Sequence, residues 1–101
     1  MSPKLFAVTS SRGPRWKDDL PMEEQDHWRQ HADFMNGLVA DRFVLLGGPL
    51  VGTPEVLLIV QAKDEAEVEA RLARDVWRAN GLLHTHQIRP WWLRLGTLGD
   101  P

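Results

Sequence analysis

The sequence predicts an α+β fold in which four strands and two helices follow the order βαββαβ. Three observations carry that reading. Short runs rich in β-branched and other apolar residues recur between Gly- and Pro-containing breaks, as strands do. Between the first two runs lies a long stretch whose apolar residues repeat with helical period. A second helix start is marked by Asp64 with Glu67 three residues later, a capping-box spacing.

Leu5-Phe6-Ala7-Val8-Thr9 is the first strand, closed by Ser10-Ser11-Arg12-Gly13-Pro14. The loop runs on to Pro21 and carries Trp16; a connection of this length is read as functional. Over 23–41 the pattern turns helical, with Trp28, Ala32, Phe34, Met35, Leu38 and Val39 inside an arc of about 160°. Glu23 and Glu24 suit the dipole of its first turn. Residues 43–46 make the second strand, which Gly47-Gly48-Pro49 stops as a turn. Val56-Leu57-Leu58-Ile59-Val60 is the third.

The helix that starts at Asp64 sets Val68, Leu72 and Val76 on one face, with Arg71, Arg74 and Arg78 outside. It gives way near Asn80-Gly81 to a last extended stretch over 83–95. The chain is read as a single domain, 1–101, with a core over about 4–95 and a loose tail over 96–101.

This order favours a ferredoxin-like sandwich, with both helices on one face of an antiparallel four-stranded sheet. The third strand is apolar at every position. The last offers Ile88 and Trp92 on one face and Trp91, Leu93 and Leu95 on the other. Two helices cover one sheet face only, so a second copy of the chain is expected to bury the other across a two-fold axis.

With 43% apolar and 26% charged residues, the 101-residue chain has the make-up of a soluble globular domain with one core. The net charge of −2 and scattered basic residues give no footprint for nucleic acid. Without cysteine, disulfides, thiolate nucleophiles and thiolate metal sites are excluded. The apolar run after Met-Ser-Pro-Lys, about six residues, is too short for a signal segment or a membrane span. A cytoplasmic protein with no membrane partner is expected.

Two titratable residues stand where helical spacing puts apolar ones. His31 falls between Leu38 and Met35 on the first helix wheel, and Asp75 follows Val68 by seven residues and Leu72 by three. A buried base and a buried acid each need a partner. Paired, the carboxylate fixes the histidine tautomer and leaves the other ring nitrogen as a base for moving protons near neutral pH. The competing reading is structural: His31 as a satisfied core histidine, and Asp75 as a cap on the turn around Trp77.

His27 and His31 have the spacing that places two imidazoles on one helical face, and His84 and His86 alternate along the last strand. No third ligand accompanies them, and no metal is assigned. Gly47-Gly48-Pro49 is not a phosphate loop, since no helix follows and no Lys-Ser/Thr lies downstream. Of the five tryptophans, Trp28 and Trp77 are read as core, and Trp91 and Trp92 occupy opposite strand faces.

The chain resembles the YCII-related (YciI-like) proteins of the dimeric α+β barrel superfamily. The matching segments are His31-Ala32-Asp33-Phe34-Met35, Leu45-Leu46-Gly47-Gly48-Pro49-Leu50, Arg74-Asp75-Val76-Trp77, Gly81-Leu82-Leu83 and Ile88-Arg89-Pro90-Trp91. The family's characteristic His matches His31. Its characteristic Asp, usually followed by proline and an aromatic residue, matches Asp75, with Val76 in place of the proline. The resemblance implies a ferredoxin-like protomer, a dimer through the sheets, and a candidate active site at His31 and Asp75. Some relatives look like lyases that remove halide from hydroxylated aromatic rings.

The expected function is a small enzyme with no metal or organic cofactor, moving a proton on a small aromatic or carbonyl-bearing molecule. His31 and Asp75 are the candidate catalytic residues; Trp16, Gly48 and Pro49 are the candidate substrate-binding residues. The alternatives are a non-catalytic binding or regulatory dimer using the same cleft, and a haem or monooxygenase-like protein using His31 as an iron ligand.

Overall fold

The computed structural model describes residues 4–98. Strands β1 (Lys4–Arg12), β2 (Val44–Pro49), β3 (Glu55–Ala62) and β4 (Leu83–Trp91) form one antiparallel sheet in the order β2-β3-β1-β4. Helices α1 (Trp28–Ala40), α2 (Glu65–Leu72) and α3 (Val76–Ala79) lie in the connections. This is a small α+β fold compatible with a ferredoxin-like sandwich.

Alternation along β1 explains the layering. Phe6 and Val8 point to one face and are buried with Leu58 and Val60 of β3 beneath Leu38 of α1 and Val68 and Leu72 of α2. Leu5, Ala7 and Thr9 point to the other face, which no helix covers among the described residues. A second cluster of Trp77, Leu82 and Leu83 gathers Trp16, Met22 and Trp28 around it. The site lies between the two clusters.

Several elements depart from the expected boundaries. The first helix begins at Trp28 rather than at 23. Residues 22–24 form one separate 3-10 turn, and His27 adopts a left-handed conformation (φ 62°) that breaks the path between the two. The buried side chain of Gln25 causes the detour, because it turns in to bond the 13–21 loop.

Gly47-Gly48-Pro49 is not a turn but the second half of β2, paired with Leu58, Leu57 and Val56. Gly47 lies so close to β3 that a Cβ there would sit 2.6 Å from Leu58 Cδ2. Pro49 is tolerated because β2 is an edge strand.

The second helix is divided. α2 stops at Leu72, and Asp75 restarts the chain as the N-cap of α3. A register shift against Thr9 and Ser10 leaves His86 unpaired on β4, so His84 and His86 do not continue one alternation. β4 ends at Trp91; Trp92 lies beyond the strand, and the Arg94 guanidinium carbon is 4.7 Å from its ring centre. Residues 96–98 of the expected tail have neither helix nor strand, and 99–101 lie outside the described residues.

Candidate functional site

His31 sits one turn into α1, on the stripe that also carries Leu38, so the helix presents its ring to the sheet. Asp75 reaches the same place by a different route. As N-cap of α3 its side chain turns back toward the helix start, where Oδ1 accepts the Trp77 backbone N–H (3.2 Å). The same oxygen accepts from His31 Nδ1 at 2.8 Å, and Oδ2 accepts from Arg78 Nη1 at 2.6 Å. The Asp75 side chain is 0% exposed, that of Arg78 6% and that of His31 11%.

This arrangement fixes the histidine. Facing Arg78, Asp75 is a carboxylate and can only accept, so Nδ1 carries the proton and Nε2 holds a free lone pair in the neutral ring. Nε2 has no hydrogen-bond partner among the described residues, and His31 lines a cavity of about 240 Å3. The ring also stacks on Trp77, with centroids 3.8 Å apart and planes 8° from parallel. Trp77 is held in turn by its Nε1–H on the Asp26 carbonyl (2.7 Å) and by the edge of Trp16 (5.3 Å between centroids). The imidazole therefore has little freedom to rotate.

Arg78 was expected on the outside of the helix and is instead buried at the centre of the site. Besides Asp75 it reaches Ser10 Oγ (2.8 Å) and Thr85 Oγ1 (3.2 Å), tying α3 to β1 and β4. Burial pushes its guanidinium below the ordinary value, and the Asp75 charge and hydrogen bond oppose that shift. The available signal was the Asp75–Arg78 spacing of three, which pairs opposite charges across one helical turn. Trp77 is core, as its helical position predicts, and the stack on His31 adds a positioning role.

The same cavity gathers the remaining candidates. Trp16, Gly48 and Pro49 line it together with His31, Arg78 and Trp77, and its walls are mostly apolar. Asp75 lies behind the histidine. His27 is exposed at the start of α1, and His84 donates to or accepts from Ser11 Oγ (3.1 Å) on the far face of the sheet. No group of three or more His, Asp or Glu side chains converges among the described residues. No helix among them is long and apolar enough to cross a membrane.

Fold and site together define a small α+β protein with a buried, hydrogen-bonded Arg–Asp–His cluster at the wall of an apolar cavity. Comparison with protein-family models, curated proteins and solved structures finds no match for the chain.

Proposed function

We propose that the protein is a small proton-transfer enzyme of lyase or isomerase type, with His31 as base and acid and Asp75 as its orienting partner. The observation that carries this reading is the 2.8 Å bond from His31 Nδ1 to the buried Asp75 carboxylate at the wall of a cavity. Nε2 takes a proton from a carbon next to a carbonyl, and the electron pair moves onto the carbonyl oxygen. The imidazolium, stabilised by Asp75, then returns the proton to another carbon or passes it to a departing group. The substrate is a small aromatic or carbonyl-bearing molecule. Membership of the YCII-related proteins, a ferredoxin-like protomer, a homodimer through the open sheet face and a cytoplasmic location belong to the same proposal. The first three are supported by the matching segments, the strand order and the apolar residues of that face.

A second reading, non-catalytic binding in the same cavity, is favoured by one specific feature. The cap on α3 and the pair with Arg78 already account for a buried Asp75 without any chemistry.

Deuterium exchange into the methyl group of acetophenone in D2O, followed by NMR, separates the two. General acid–base help of about 10²–10⁴-fold is expected with the wild type and none with His31→Ala, whose fold is checked by circular dichroism. Equal exchange with both proteins overturns the catalytic reading and puts binding first.

A further inference from the structure

Among the described residues, the charged side chains on the cavity wall are Arg12 and Arg78, and no Asp or Glu lines it. Arg78 is matched by Asp75. Arg12 has no ion-pair partner among the described residues; its guanidinium carbon lies 4.7 Å from the centre of the Trp16 ring. The backbone beneath it is firmly built. Arg12 N–H donates to the Pro54 carbonyl (3.0 Å) and Gly13 N–H to the Leu82 carbonyl (2.8 Å), which places the side chain at the end of the sheet. Gly13 packs against Gly81 so tightly that a Cβ there would lie 2.1 Å from the Gly81 oxygen.

We propose that Arg12 recognises the carboxylate of a small aromatic or unsaturated acid whose apolar body occupies the cavity beside His31. The inference rests on the cavity being the ligand site of the proposed function, and it names the substrate class for that site. A guanidinium lying against an indole keeps its N–H edges free, and its planar fork matches a carboxylate with two parallel hydrogen bonds. No wall acid competes for it, and the apolar surroundings strengthen the pair relative to open water. A phosphate dianion would call for further donors, and no second unmatched cation lines the cavity. At about 240 Å3 the space falls below the usual range for drug-sized ligands, which suits a one-ring acid.

The test is calorimetric titration of the wild type and Arg12→Met with benzoate, benzyl alcohol and phenyl phosphate. Benzoate is expected to bind at least about tenfold more tightly than benzyl alcohol, the margin of a charge-assisted contact. Arg12→Met should erase that margin while leaving benzyl alcohol unchanged, and Arg12→Lys should keep part of it. Arg12 is exposed, so these variants leave the core intact. The proposal is overturned if Arg12→Met retains the margin, if benzoate shows no saturable binding at millimolar concentration, or if phenyl phosphate binds more tightly than benzoate. The margin is expected to persist in His31→Ala. Its persistence, together with no proton exchange in the wild type, would sink the catalytic reading and leave carboxylate recognition standing.

Discussion

At Asp75, two oxygens serve three donors from three different kinds of group: an imidazole, a backbone amide and a guanidinium. The residue is therefore a structural keystone whatever its chemical role. Replacing it with alanine leaves the Arg78 cation buried without its counter-charge, a loss of about 3–5 kcal/mol. Arg78→Met removes the cation but strands Oδ2, so it is also costly. Both changes delete the same contact, and the double variant is expected to be less destabilised than the sum of the singles by at least about 0.5 kcal/mol. Urea unfolding of the four proteins measures this, and additive losses would show that the pair is not coupled. The lowered value of Arg78 adds no pH slope to stability near neutrality. A guanidinium favoured in its neutral form by burial would stabilise the fold only where it loses its proton, far above that range, so its burial cost is constant through working pH.

The elements show why the site was only partly legible in the sequence. His31 was readable because α1 is continuous from Trp28 to Ala40 and the wheel holds along it. Asp75 was read as inward on a wheel that does not reach it: α2 ends at Leu72, and capping, not helical phase, turns its carboxylate inward. The period of Val68, Leu72 and Val76 runs straight through that break and hides it. The same break misplaced Arg78, since its spacing from Arg71 and Arg74 groups the three on one face only if the helix is unbroken. Arg71 and Asp41 do pair on the surface (3.0 Å). At Gly47-Gly48-Pro49, pairing with β3 overrode strong local turn signals. The length of the 13–21 loop points to function, but no local sequence signal shows what holds it. Gln25 does so, with Oε1 accepting from Lys17 N–H (3.0 Å) and Nε2 donating to the Lys17 and Leu20 carbonyls (2.8 and 3.1 Å). Gln25→Ala is expected to cost about 1–3 kcal/mol and to free Trp16 from its place over Trp77. Hydrogen exchange should show protection lost at the Lys17 amide and kept across β1 and β3. Unchanged protection at Lys17 would mean that the loop is held by other contacts.

For the molecule as a whole, the sheet has two faces and its helices cover one. The uncovered face presents the half-buried Leu5 and Ala7 of β1 and Leu57 of β3, with Leu46 of β2 56% exposed and Trp91 of β4 40% exposed. Thr9 lies in the middle of this face, and its Oγ1 is the one buried side-chain oxygen or nitrogen without a hydrogen-bond partner among the described residues. An apolar sheet face of this kind is costly in water-exposed isolation. A second copy related by a two-fold axis would bury Leu46 and Leu57. Sedimentation equilibrium is then expected to give twice the chain mass of 11.5 kDa. Leu57→Lys sets two like charges close together across the two-fold axis and should shift the protein to monomer. Its circular dichroism should stay native, because the Phe6, Val8, Leu38 and Leu72 core lies on the other side of the sheet. A wild type that remains monomeric at high concentration would break the dimer proposal, leaving the open face to a different partner and the His31 cavity untouched.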